Sequence, residues 1–233
     1  MTTPLSFSLI FSLFLSVPAW ADWTQFQGDA RRSGNAPGEV LKASLGLEAA
    51  VPLTDGIYAA PVVSDGVAYV IDGSGVVFAI DTSTFKVKWR FVTHGGAGNC
   101  NNVAAPAVVG KYLHVGTTAG YYYVLNRETG KLVKRIDCAE PIFSAPAVGS
   151  GRVYFATLGA RIYAVSPEGE VAWTWDFVKE EVGFKGNRWL GADWVKFRGD
   201  RVTWKDHFVC SRDITLVGKT VVMPAGGRTV FVE

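Results

Sequence analysis

The side chains here with chemistry to offer are few: three histidines, three cysteines and one stretch dense in tryptophan and arginine. His94, His114 and His207 share no H-x-H or H-x-x-x-H spacing, so no zinc-type site is expected from them. Cys100, Cys138 and Cys210 form no C-x-x-C or C-x-x-C-H motif, which argues against a thioredoxin-like centre and against attached c-type haem. No Gly-x-Ser-x-Gly elbow or phosphate loop occurs, and Gly95-Gly96-Ala97-Gly98 reads as a loop. Between Val178 and His207, Phe184, Trp189, Trp194, Phe197 and Trp204 interleave with Lys185, Arg188, Lys196, Arg198, Arg201 and Lys205. Trp and Arg are enriched where proteins bind one another. Trp189, Trp194, Arg198 and Trp204 are therefore a candidate binding surface, with a self-packed covering loop as the alternative. Arg212 and Asp213 form a second candidate, for a reason that the repeats below supply.

The 233 residues are 48% hydrophobic and 13% aromatic, too apolar for a disordered chain. A net charge of +2 gives no electrostatic reason to expect nucleic acid as a partner. Leu5 to Val17 is an apolar run too short to span a bilayer, and Pro18-Ala19-Trp20-Ala21 ends it with an A-x-A-type cleavage site. Residues 1–21 are expected to be a signal peptide, with an uncleaved anchor as the alternative, and no later stretch is expected to cross a membrane. A periplasmic or extracellular location follows. In that oxidising setting three cysteines allow one intrachain bond at most. Cys100 and Cys138 occupy comparable loops of successive repeats, so a Cys100–Cys138 disulfide is one expectation and free thiols are the other.

Three stretches align almost without gaps. They start at Ile57, Asn102 and Ile142, carry Ala60-Pro61, Ala105-Pro106 and Ala145-Pro146, and end at Asp81, Asn126 and Ser166. Pro61 to Pro106 and Asp81 to Asn126 are both 45 residues; Pro106 to Pro146 and Asn126 to Ser166 are both 40. Within each unit, Gly-containing turns separate four short runs rich in Val, Ile, Tyr and Phe. Four strands in a period of about 42 residues make one propeller blade. Trp89, Trp173, Tyr69 and Phe78 recur at repeat positions and are expected to pack blade on blade. In Tyr121-Tyr122-Tyr123 the rings alternate faces.

These units resemble the PQQ-like (pyrroloquinoline-quinone-like) β-propeller repeat family of the quinoprotein alcohol dehydrogenase-like superfamily. The likeness rests on the Ala-Pro-Val starts, the Phe78-Ala79-Ile80-Asp81 type of segment, and the Trp89 and Trp173 endings. Asp22-Trp23-Thr24-Gln25-Phe26-Gln27-Gly28-Asp29 is similar to the leader that precedes such propellers. The expected fold is all-β: three clear four-stranded antiparallel blades over residues 57–177 and an incomplete fourth over 208–233. A leader at 22–56 and the aromatic, basic insertion at 178–207 complete the chain. A partial or larger ring is favoured over a closed four-bladed one, in which Leu45–Val51 would supply the fourth blade's missing strand.

Matching Gly218 to Gly151 puts Arg212-Asp213 where other blades have Ala-Pro, beside the central channel. There a charged pair could bridge inside the channel or touch a ligand. The resemblance implies either a non-catalytic binding or envelope-assembly scaffold with protein or an envelope component as partner, or a truncated PQQ-dependent dehydrogenase. No cofactor is expected in the first case; PQQ and calcium belong to the second. The dehydrogenase reading lacks an adjacent Cys-Cys pair and any obvious carboxylate cluster. A polysaccharide-binding module, suggested by the tryptophans, is the third reading.

Overall fold

The computed structural model describes residues 22–36, 44–199 and 207–233. It contains three four-stranded antiparallel sheets and one three-stranded sheet, each a simple meander. The first blade is β1 (Val62–Ser64), β2 (Val67–Ile71), β3 (Val76–Asp81) and β4 (Val87–Val92). The second is β5 (Ala107–Val109), β6 (Tyr112–Gly116), β7 (Tyr121–Asn126) and β8 (Leu132–Asp137). The third is β9 (Ala147–Gly149), β10 (Arg152–Ala156), β11 (Arg161–Val165) and β12 (Val171–Asp176). The fourth is β13 (Thr215–Val217), β14 (Thr220–Ala225) and β15 (Arg228–Val232). The all-β reading with three complete blades and an incomplete fourth therefore holds.

Local chemistry explains the turns. Asp81 and Asn126 each accept backbone N–H groups two and three residues on, closing the turn into the outer strand. The hairpin from β1 to β2 turns through Asp65 and Gly66, both at positive φ, the backbone a tight right-twisted hairpin requires.

The third strand of each complete blade is buried on both faces, while β4, β8 and β12 are half exposed. Tyr69, Ile71 and Val77 of blade 1 pack on Leu113, Val115 and Tyr123 of blade 2. Tyr122 leaves the other face of β7 to stack on Phe155 at 3.7 Å in blade 3. Tyr121 keeps a half-buried ring under the Arg135 guanidinium. Trp89 packs as expected, 6.0 Å from Tyr69 and donating to the Arg127 carbonyl. Phe78 does not join two blades: it lies under Val51 and Leu53, on the flank of blade 1 away from blade 2. Leu45–Val51 forms no strand, and Leu45 and Leu47 are exposed, so it does not complete the fourth blade.

The leader crosses the inner strands of all four blades. Trp23 exchanges both backbone hydrogen bonds with Val63, and Val108 donates to the Thr24 carbonyl at 2.7 Å. Val148 donates to Gln25 Oε1 at 3.0 Å, and Leu216 to the Ala30 carbonyl at 2.9 Å. Val63, Val108, Val148 and Leu216 are the middle residues of β1, β5, β9 and β13. One short segment thus satisfies the same inner-edge donor in every blade.

The insertion carries α1 (Phe177–Glu180) and α2 (Gly191–Arg198). Asp176 caps α1, accepting from Val178 and Lys179. Trp194 stacks on Phe184 at 3.8 Å and lies 5.7 Å from Phe208. Arg188 fastens this layer to blade 3. It pairs with Asp176, donates to the Gly159 carbonyl, and places Nε 3.5 Å from Glu140. Thr157 and Arg161 add bonds to Glu140 and Asp176. Burial alone would raise the Asp176 pKa; the Arg188 hydrogen bond and charge, with Arg161, hold it below the usual carboxylate value. A Cβ at Gly159 would sit 2.5 Å from the Glu140 carboxylate, so any larger residue there must displace that carboxylate from its partners.

His114 is fully buried between blades 2 and 3. Its Nε2 lies 2.9 Å from the Pro167 carbonyl and must donate; Nδ1 then accepts from the Tyr122 hydroxyl at 3.2 Å. Burial pushes its pKa down to about 4.

Two outcomes follow. Arg188→Ala leaves Glu140 and Asp176 buried without their shared cation, and should cost about 3–5 kcal/mol in urea denaturation. A loss under about 1 kcal/mol would show that aromatic stacking alone holds the insertion. Between pH 6.5 and about 4 the unfolded chain protonates His114 while the folded chain does not. Stability is therefore full above pH 6.5 and falls across that window, by about 3 kcal/mol from this group. His114→Gln should remove that part of the slope, measured as urea midpoints against pH; an unchanged slope would contradict it.

Candidate functional site

The strand register corrects the alignment of the fourth blade by one residue. Leu216 pairs with Val221 as Val148 pairs with Val153, so Asp213 corresponds to Ala145 and Arg212 to Ser144. The position of Ala60, Ala105 and Ala145 is thus held by Asp213, and Ile214 stands where the others have proline. Small side chains let inner strands approach the axis, and proline adds no N–H that burial would leave unpaired.

These segments surround a cavity of about 250 Å³. Tyr58 and Ala60 come from blade 1, Val103 and Ala105 from blade 2, and Phe143 and Ala145 from blade 3. Ser211, Arg212 and Asp213 complete the wall, and the leader contributes Phe26. Tyr58, Val103, Phe143 and Ser211 are equivalent positions. The cavity is therefore apolar on three sides and polar on the fourth.

Asp213 is already engaged. Its Oδ1 accepts the Ala145 N–H at 2.7 Å, and its charge faces Arg32 of the leader. Burial draws the Arg32 pKa down, and Asp213 opposes that shift. Arg212 is exposed at the rim, and its guanidinium makes no ion pair among the described residues. Asp213 thus braces blade 4 against blade 3 and the leader, while Arg212 lines the cavity with its side chain exposed.

The insertion candidates lie elsewhere. Trp194 is 2% exposed, with its Nε1 donating to the Arg188 carbonyl, so it is core and not surface. Trp189 is 42% exposed and packs edge-on against Phe208. Arg198 is exposed near the end of α2, and Trp204 lies outside the described residues. Trp189, Trp194 and Arg198 do not line the axial cavity.

The thiols do not pair. Cys100 is exposed, whereas Cys138 is buried among Tyr122, Phe155 and Tyr163. Burial pushes the Cys138 thiol up to about 12, and Cys210, also buried, likewise to about 12. The expected Cys100–Cys138 bond is therefore absent. Among the described residues no three His, Cys, Asp or Glu side chains gather as a metal site.

Comparison with known proteins places this geometry in a family. The family model PQQ_2, described as outer membrane protein assembly factor BamB, matches residues 39–134 and 98–188. The outer membrane protein assembly factor BamB of Legionella pneumophila is 29% identical over 101 residues, covering 43% of this chain and 25% of that protein. The quinoprotein alcohol dehydrogenase PedH of Pseudomonas putida is 30% identical over 145 residues, covering 55% of this chain and 24% of that protein. The crystal structure of quinohemoprotein alcohol dehydrogenase from Comamonas testosteroni superposes with a TM-score of 0.68 at 25% identity, over 88% of this chain and 35% of that one. The chain thus spans about a quarter of these relatives and about a third of that structure. The matched span exceeds half the chain, and the protein belongs to the PQQ-like β-propeller repeat family of the quinoprotein alcohol dehydrogenase-like superfamily.

Proposed function

We propose that the chain is an exported, non-catalytic β-propeller that acts as a protein-binding or envelope-assembly scaffold. Its contact face is the axial cavity. The observation that carries this is the cavity's make-up: apolar walls from three blades beside one exposed guanidinium from the fourth that makes no ion pair among the described residues. An apolar centre with an arginine at its edge is what a protein partner's anchor residue and a neighbouring acidic group require. The similarity to BamB of Legionella pneumophila supports a partner in the envelope. No described helix is long and apolar enough to cross a membrane.

The family also includes dehydrogenases, so the fit of PQQ and calcium matters. Calcium is held by several oxygen ligands, usually including carboxylates, and the quinone brings carboxylates of its own. The cavity holds one carboxylate, Asp213, already committed to Ala145 and Arg32. No carboxylate cluster stands elsewhere among the described residues. The donor set does not fit the cofactor. A truncated PQQ-dependent dehydrogenase stays as the second reading, supported by the likeness to PedH and to the Comamonas testosteroni enzyme. The polysaccharide reading is weakened, because Trp194 is buried.

A photo-crosslinker at Ser211 should capture a defined envelope protein in cells. Arg212→Glu should abolish that adduct and weaken the purified pair by about tenfold or more, with stability changed by less than about 0.5 kcal/mol, as for other exposed positions. Calcium- and quinone-dependent dye reduction by the purified chain would overturn the scaffold reading in favour of the dehydrogenase.

A further inference from the structure

We propose that residues Trp23–Arg32 are an axial clasp that binds the four blades into one cooperative unit. The inference is independent of the proposed function.

The first argument is what does not join blade 4 to blade 1. Among the described residues, β15 pairs only with β14, and Leu45–Val51 is not a strand. Pro106 and Pro146, at the starts of blades 2 and 3, are buried, whereas Pro61 of blade 1 is exposed. No shared strand therefore ties the ends of the array.

The second argument is the order of the leader's contacts. Trp23, Thr24, Gln25 and Ala30 accept from blades 1, 2, 3 and 4 in that sequence, each at the middle residue of the inner strand. A segment crossing the blades for packing alone would not meet the same backbone donor four times. Gly28, at φ +81, allows the reversal between Gln25 and Ala30. The Trp23 ring packs so closely on it that a Cβ would come within 3.1 Å.

The third argument is the lock at the far end. Arg32 donates to the Phe26 carbonyl at 2.9 Å, to Ala145 at 2.8 Å, to Pro146 at 3.1 Å and to Ile214 at 3.2 Å. One planar fork thus ties the leader to itself, to blade 3 and to blade 4. Lysine has neither the fork nor the donors to do this. In a repeat array each unit contacts only its neighbours, and unfolding proceeds unit by unit. The clasp adds contacts that blade 1 and blade 4 would otherwise lack.

The test uses the full chain and amide hydrogen exchange. In Arg32→Ala the Val63, Val108, Val148 and Leu216 amides should exchange about tenfold faster or more, while Val124 inside β7 keeps its wild-type rate. The wild type should melt in a single transition and Arg32→Ala in more than one. Arg31→Ala, which removes a neighbouring exposed arginine, should change neither readout. Gln25→Leu removes only the acceptor of Val148 and should release that amide alone, which keeps the test valid if Arg32→Ala does not fold. Wild-type exchange at the four amides, or loss of protection at Val124 by the same factor, would overturn the clasp.

Discussion

The inner edge of each blade turns a backbone N–H toward the axis, where water has little room. Leaving such a donor buried and unmet costs about 1–3 kcal/mol, and four of them would remove much of a domain's net stability. The leader answers all four with three backbone carbonyls and one side-chain amide. The axial architecture is arranged around that requirement. The inner strands are only three residues long, alanine precedes three of them, and proline stands where another donor would have been stranded.

The same constraint shapes the cavity. Because the leader occupies the axis, the open space lies beyond it, at the segments that enter the inner strands. Blades 1 to 3 offer Tyr58, Val103 and Phe143 there. Blade 4 departs from the repeat, and its departure is coupled to the leader. Asp213 faces Arg32 and accepts from Ala145, while Arg32 donates to the carbonyl of that same Ala145. Substituting aspartate for alanine is tolerable at this position because the charge meets a cation and an N–H at once. Arg212, one residue earlier, is exposed and makes no ion pair among the described residues.

Much of this was legible in the sequence. Matching 45- and 40-residue offsets identified the blades, and Asp81 and Asn126 marked the turns they cap. The fourth blade slipped by one because Gly218 was matched to Gly151. Blades 1 and 3 turn through Asp65-Gly66 and Ser150-Gly151, with both residues at positive φ. Blades 2 and 4 turn through Gly110-Lys111 and Gly218-Lys219, with only the glycine at positive φ. Gly110-Lys111 was the right template, and only the turn type distinguishes the two choices. The insertion misled for another reason. A dense set of Trp and Phe has the same composition whether it forms a binding surface or, as with Trp194 between Phe184 and Phe208, a small core. The roles of Gln25 and Arg32 left no periodic signal, because they depend on backbone groups more than 100 residues away.

Family membership and site chemistry therefore answer different questions. The repeat specifies valine-, tyrosine- and tryptophan-rich strands that pack blade on blade, and these satisfy a scaffold and a dehydrogenase equally well. What separates the two is the handful of residues at the axis that the packing does not dictate. An oxygen-ligated metal needs carboxylates free to turn toward it, and here the axial carboxylate is held by a backbone N–H and faces the half-buried Arg32. A partner protein needs only shape, apolar contact and a charge at the rim. The residues that break the repeat at the axis differ in setting: Asp213 braces the blade against the leader, and Arg212 is exposed at the cavity.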